Sequence, residues 1–368
     1  MDNVAVHQID HGYELHRGPR LKILVVEYVT GGGLRGEVVP PCLAREGRQM
    51  LRALAEDLLA IDSVELIVFN DDRFPAFLEP RIQAVHIGEA QPFQTAWRHW
   101  LGRCDAAWPV APETGGILER LCLEVEAASK TLLTCPASAV RPASSKLETV
   151  RRLERCGLPV VPTEPLAELG RSAKPVFALP TAEAITPKAV RHDEYPSQPS
   201  LVVKPDDGVG CEGTRIVHDP ACLSVDTDNW IAQPLLQGEP LSLSALFAQG
   251  QARLLSCNRQ SIEQIGGGFV LKACQVNAIA DTDGRWQALA GRIAEAMPEL
   301  WGYAGIDLVL TAGGPVILEI NPRLTTSYAG LRLATGENLA ALTLKLSKTG
   351  VLPPPRQHPG KMVEINLD

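Results

Sequence analysis

The sequence predicts a mixed chain: an open α/β domain first, then a longer part of α+β character. Three observations carry this. Apolar strand-like runs alternate with amphipathic helical stretches over roughly the first 135 residues, the pattern of a parallel sheet with helices on its faces. Around Cys135 to Ser145 the texture changes to Pro, Ala and Ser, which marks a boundary. Beyond it, short strand-like runs succeed one another in an antiparallel-looking pattern with few helices. A chain of 368 residues, at about 150 residues per domain, accommodates two or three domains.

Residues 1–19 read as a polar, poorly ordered lead-in. Leu21 to Glu27 (LKILVVE) is apolar and rich in Val and Ile, a buried strand of the parallel type. A loop with Gly31, Gly32 and Gly33 follows. Pro41 to Ile61 is an amphipathic helix with Leu43, Met50, Leu51, Leu54, Leu58 and Leu59 on one side. Val64 to Phe69 and Asp105 to Val110 are further strands. Gly116 to Ser129 is helical, with Leu118, Leu121, Cys122 and Val125 at helical spacing. Past the boundary, Ser144 and Ser145 precede a helix from Lys146 to Cys156 that stops at Gly157. Eight prolines between Pro159 and Ser200 exclude a long helix there. Strands follow at Leu201 to Lys204, Thr214 to Val217, Trp230 to Pro234, Leu241 to Ala248, Ala252 to Asn258 and Gly268 to Gln275. Trp286 to Met297 is a helix. Gly305 to Leu310 and Val316 to Ile320 are joined at Ala312-Gly313-Gly314 as a hairpin. Asn338 to Ser347 is the last clear helix. The expected division is a lead-in at 1–19, an α/β domain at 20–138, and two further units at 139–235 and 236–368.

Composition narrows the function classes. Apolar residues at 45% and charged residues at 21% exclude a disordered chain. Lys plus Arg number 35 against 43 Asp plus Glu, a net charge of −8, which disfavours nucleic acid as a partner because that needs a basic face. No run approaches the ~18 to 20 apolar residues of a membrane helix, and the N-terminal stretch does not read as a secretory signal. The nine cysteines include no C-x-x-C pair. They sit in apolar contexts such as Leu121-Cys122-Leu123, as small buried residues do in a reducing cytoplasm. A cytoplasmic protein acting on small molecules is expected, with no membrane partner and with self-association left open.

Three segments carry chemistry. In the last third, Gly305-Ile306-Asp307 and Glu319-Ile320-Asn321-Pro322-Arg323 place Asp307 and Glu319 on paired strands. Glu319 and Asn321, two apart on one strand, share a side. Three oxygen ligands beside an apolar hairpin suit Mg²⁺, which is held by one or two carboxylates plus substrate phosphates. Arg323 suits a planar oxyanion. In the second segment, Lys204 ends an apolar strand before a loop with Gly208, Gly210 and Gly213. A lysine and close backbone N–H groups can meet the same phosphates, although alone this is more often a plain turn. The third runs from Gln233 through Leu235 and Leu236 to Glu239. Backbone groups there can pair with a purine edge and Glu239 with ribose hydroxyls; alone it reads as a strand–turn–strand. Two weaker stretches are Asn258-Arg259-Gln260, which follows a strand and precedes Gly266-Gly267-Gly268, and Glu27 with Gly31, Gly32 and Gly33, a strand exit in an open α/β sheet where ligands bind.

In order, these segments resemble the ATP-grasp superfamily over about residues 139 to 345. The resemblance implies an N-terminal domain of the pre-ATP-grasp kind and two α+β subdomains gripping ATP. It implies nucleotide-binding roles for Lys146, Lys204, Gly208, Gly210, Gly213, Gln233, Leu235, Leu236 and Glu239. Asp307, Glu319 and Asn321 correspond to the ligands of Mg²⁺, with Mn²⁺ as a substitute. Catalytic roles fall to Lys204, Arg323 and Arg259. Substrate contacts fall to Glu27, Gly31, Gly32, Gly33, Arg259 and Arg323. In that family a carboxylate takes the γ-phosphoryl group of ATP, and an amine displaces phosphate from the acylphosphate. At motif level the sequence is also similar to tyramine–glutamate ligases of methanofuran biosynthesis and their relatives in bacterial methylotrophs. That implies glutamate and tyramine or tyrosine as substrates, in the making of a furan-type one-carbon carrier. Other amino-acid or peptide ligases, polyglutamate extension, modification of a protein's glutamate tail, and a non-catalytic ATP-binding protein are the competing readings.

Overall fold

The computed structural model describes residues 20–75, 79–169, 200–211, 213–218 and 228–367. The lead-in at 1–19 and most of the proline-rich stretch lie outside these.

The first strand, β1 (Leu21–Glu27), is buried on both faces. Ile23 and Val25 enter one apolar cluster, Leu24 and Val26 another. That is why it reads as an unbroken apolar run rather than an alternating one. Helix α1 (Pro41–Leu59) leads to β2 (Val64–Asp71), β3 (Ile82–Ile87), α2 (Phe93–Leu101), β4 (Ala106–Val110), α3 (Ile117–Ala127) and β5 (Thr131–Leu132). These strands form one parallel sheet in the order β3-β2-β1-β4-β5. The order reverses between β1 and β4, so the crevice at such a switch point lies between the loops leaving those two strands.

The Pro-, Ala- and Ser-rich stretch at the expected boundary is a helix, α4 (Ala137–Ser144), with Pro142 inside it. Its alanines and Val140 pack into the core, so small side chains here reflect close packing. Helix α5 (Lys146–Arg155) follows, its first turn capped by the Ser145 hydroxyl, which accepts the Glu148 N–H at 3.0 Å. Strands β6 (Glu164–Pro165), β7 (Leu201–Pro205), β8 (Arg215–Val217) and β9 (Trp230–Pro234) make a four-stranded antiparallel sheet.

The largest sheet is six-stranded, in the order β14-β13-β10-β11-β12-β15. It comprises β10 (Glu239–Ala248), β11 (Gln251–Ile265), β12 (Gly268–Ile279), β13 (Gly302–Thr311), β14 (Gly314–Asn321) and β15 (Val363–Asn366). Helix α6 (Arg285–Ala296) contributes Trp286, Leu289 and Ile293 to one cluster; α7 (Tyr328–Thr335) and α8 (Leu339–Thr349) contribute to the other, with α1. The first domain is tied to α7 by a buried junction in which the Tyr328 hydroxyl donates to Asp57 Oδ2 at 2.8 Å. Arg332 donates to Asp57 Oδ1 at 3.2 Å.

Two expectations change. Asn258, Arg259 and Gln260 do not follow a strand; they lie inside β11, which continues to a turn at Gly266 and Gly267, both with positive φ. The short apolar stretch Ala252 to Asn258 is the part of β11 buried in the sheet, and the polar remainder is its exposed half.

Candidate active site

The site lies where α5, the two antiparallel sheets and the first domain's strand exits meet. Lys146 is the first residue of α5 and is buried. A cation there opposes the helix dipole, so helix stability does not explain its placement. Its Nζ donates to the carbonyls of Gly208 at 2.6 Å and Asp206 at 3.2 Å and stands 3.6 Å from Glu319 Oε2. Lys204, near the end of β7, reaches the same oxygen at 3.3 Å. Two lysines far apart in the chain thus converge on one carboxylate.

Asp307 and Glu319 pair across β13 and β14, beside a register shift between Asp307 and Leu308. Such an irregularity re-aims side chains locally. Asp307 accepts the Asn321 amide at 2.9 Å on Oδ2 and the Gln260 amide at 3.0 Å on Oδ1. Burial and the facing Glu319 push the Asp307 carboxyl up to about 6. Burial alone would raise Glu319 too, but Lys146 and Lys204 bring it down to about 2. The set fits Mg²⁺ on its donor chemistry: two carboxylates and an amide are too few for an all-protein cage but suit an ion that takes its other oxygens from phosphates and water. Among the described residues, no cluster of three or more His, Cys, Asp or Glu makes a metal site by itself.

Arg323 extends past β14 and donates from Nε to Glu113 Oε2 at 3.0 Å. Burial would ease its proton off, but Glu113, Glu46 and Glu319 hold the guanidinium above its ordinary value. Glu46, half-buried on α1, accepts a hydrogen bond from the Thr326 hydroxyl. The loop after β7 folds onto this group. Asp206 Oδ1 accepts the Leu147 N–H at 2.8 Å, and Asp207 accepts the Gly115 N–H at 2.8 Å. Gly210 and Gly213 take positive φ there, which glycine adopts without cost.

The remaining expected residues are placed differently. Arg259 pairs with Glu239 rather than reaching Asp307, and its neighbour Gln260 makes that contact. Adjacent strand residues point to opposite faces, so one of the two had to turn away. Leu235 cannot offer its N–H to a purine in this arrangement, because it donates to the Ser200 carbonyl at 2.8 Å. Gln233 is buried and donates to Thr163 Oγ1 at 3.0 Å; Leu236 packs partly buried against the core. Glu27 is turned onto its own loop, accepting the Val29 and Thr30 N–H groups at 3.1 and 2.8 Å and the Thr30 hydroxyl at 2.6 Å. Both its oxygens take part in shaping that loop. Gly31, Gly32 and Gly33 have packing reasons: a Cβ would meet the Glu27 carbonyl, Ile87 and the Tyr28 ring respectively.

Glu46, Glu113 and Gln260 are members of this group to which the sequence reading gave no role. Only Glu113 carried a usable signal, at the exit of a strand in the open sheet.

Comparison with known proteins identifies the family of the chain. The ATP-grasp domain family matches residues 143–327, and the pre ATP-grasp 3 domain family matches residues 64–140. The tyramine–L-glutamate ligase of Methanocaldococcus jannaschii is 26% identical over 327 residues, covering 88% of each chain. A putative ATP-grasp superfamily protein from Archaeoglobus fulgidus superposes with a TM-score of 0.64 at 22% identity, over 95% of this chain and all of that one. An L-amino acid ligase from Bacillus licheniformis gives 0.58 at 18% identity, over 90% of this chain and 75% of that one. The family match covers half of the chain and contains Lys146, Lys204, Asp307, Glu319 and Arg323: the protein belongs to the ATP-grasp family.

Proposed function

We propose that this protein joins the γ-carboxylate of glutamate to the amine of tyramine or tyrosine, using ATP. It is a ligase of the ATP-grasp type that forms C–N bonds. The observation that carries the reading is the convergence of Lys146 and Lys204 on Glu319, with Asp307, Asn321 and Arg323 alongside. The choice of glutamate and tyramine rests on the similarity to the M. jannaschii ligase over 88% of both chains.

The chemistry follows from the charges. Transfer of the γ-phosphoryl group to a carboxylate brings anions together and asks the protein for positioning and neutralisation rather than a nucleophile. Lys146 and Lys204 release Glu319 to meet phosphate oxygens. Asp307, Glu319 and Asn321 would hold Mg²⁺, which when bound neutralises charge on the phosphates. Gly208, Gly210 and Gly213 let the loop backbone approach the phosphates. Glu239 is the candidate for the ribose; engaging it there requires Arg259 to let go. Arg323 steadies the acylphosphate, and Glu113 holds the Arg323 guanidinium in place. The gap lined by Glu113, Ser144, Lys146, Gly208, Glu319 and Asn321 measures about 10 Å³, room for about one water. A phosphate does not fit that gap as it stands, so Lys146 would exchange the Gly208 and Asp206 carbonyls for phosphate oxygens.

The test is ADP release with ATP and Mg²⁺, first with glutamate alone and then with tyramine or tyrosine. Release that needs both, with a product of their summed mass less one water, is the expected result. Stimulation only by a different amine retains the ligase and removes the furan-carrier assignment. No release across a broad panel of amino acids and amines refutes the small-molecule reading.

A further inference from the structure

The loop leaving β4 carries Glu113, of which 4% is exposed. One of its oxygens, Oε2, accepts from Arg323. The other, Oε1, is buried with no hydrogen-bond partner among the described residues. A buried carboxylate oxygen left without a donor is costly, and such groups call for a specific explanation. The same side chain lines the gap between Lys146, Glu319 and Asn321. It comes from the first domain, at the switch point of the parallel sheet, whereas the phosphate-facing groups come from the later sheets. Glu46, from the same domain, adds a second negative charge close enough to act on Arg323.

We propose that Glu113 Oε1 is the acceptor for the ammonium group of the amine substrate, with Glu46 supporting the same cationic subsite. The assignment rests on the ligase reading above and deepens it. Each part has a distinct polarity. Lys146, Lys204 and Arg323 address anions. The carboxylates of the first domain, Glu113 paired with Arg323 and Glu46 acting on it, address a cation. An ammonium on Oε1 stands beside the guanidinium that steadies the acylphosphate; it gives one proton to the Glu113 carboxylate, and the neutral amine then attacks the acyl carbon as phosphate leaves. The subsite selects a primary amine that is protonated in solution over a neutral acceptor of similar shape.

Glu113→Gln separates this from a role in holding Arg323 alone. The amide oxygen still accepts from Arg323, while the free position becomes an N–H donor that repels an ammonium. The assay compares tyramine with hydroxylamine, a nucleophile uncharged at neutral pH, using ATP, Mg²⁺ and glutamate at saturation. The expected result is a tyramine KM at least about tenfold higher, an ATP KM within about twofold, and glutamyl hydroxamate formation lowered less than about threefold. A melting temperature with ATP and Mg²⁺ checks that the variant folds and binds nucleotide. An unchanged tyramine KM overturns the assignment. So does an equal fall in amide and hydroxamate formation, which would mean that Glu113 acts only through Arg323. If the unaltered protein makes neither product, the ligase reading falls first and the assignment with it.

Discussion

Asp307→Asn is expected to raise the stability of the ligand-free protein while abolishing turnover. The carboxyl at Asp307 sits at about 6 against an ordinary 3.8, because burial and Glu319 disfavour its charge. That shift of about two units corresponds to about 3 kcal/mol at neutral pH, taken at 1.36 kcal/mol per unit. A group whose folded value is raised contributes most below its unfolded value and loses that contribution as pH rises through the folded one. The penalty is therefore absent below 3.8, grows up to about 6 and is complete above it. Asparagine keeps the shape, and the Gln260 or Asn321 amide can turn over to match it. At about 2.1 cal/mol/K per residue, 368 residues give an unfolding entropy of about 0.8 kcal/mol/K. A gain of about 3 kcal/mol then raises Tm by about 4 °C. The assay is a melt of both proteins from pH 4 to 7.5, without and with ATP and Mg²⁺. The gap should open between pH 4 and 6.5, and ATP with Mg²⁺ should stabilise only the unaltered protein. A variant that melts lower at pH 7.5, or a gap that does not change with pH, refutes the reasoning.

The sign reverses at Glu319, whose carboxyl lies at about 2 against an ordinary 4.5. Its contribution is present above 4.5 and is lost as pH falls toward 2. Glu319→Gln leaves Lys146 and Lys204 facing each other without that carboxylate, and should lower stability by about 3–5 kcal/mol in chemical denaturation and abolish ADP release. Lys204→Ala should likewise abolish ADP release, with a far-ultraviolet circular dichroism spectrum unchanged. Tyr328→Phe removes the hydroxyl that donates to Asp57, a bond to a charged group, and should cost about 1.5–3 kcal/mol in urea unfolding. Gly47→Ala is diagnostic by sign. Alanine normally stabilises a helix interior by about 0.5–1 kcal/mol, yet here the Cβ would fall 2.6 Å from the Glu27 carboxylate. Destabilisation by about 1–3 kcal/mol in the same assay is expected.

Much of the fold was legible because local pattern and burial coincide. LKILVVE reads as a buried parallel strand because both of its faces are covered. Ser145 before Lys146 reads as a helix start because its hydroxyl does cap α5. The alternation around Asp307, Glu319 and Asn321 stood out because two carboxylates on paired strands, with an amide two residues on, have no packing rationale in an apolar hairpin. Other elements were missed for identifiable reasons. In α4 the small residues that marked a boundary are core packing, with Pro142 tolerated inside the helix. Strand β3 has only some of its residues buried, and α2 is short, so neither shows a full period.

The sequence by itself determined the strongly patterned elements and the residue types able to meet phosphate and metal, since those follow from local periodicity and side-chain chemistry. Only the tertiary structure decided which of them meet. Lys146 and Lys204 share Glu319 across gaps of 173 and 115 residues, and Arg323 finds Glu113 across 210. Gln260 rather than Arg259 faces Asp307. Glu27 spends its carboxylate on its own loop. Charge and donor number are properties of a residue, but the partner that fixes a side chain's direction and proton affinity is brought by chain folding over distances that no local pattern records.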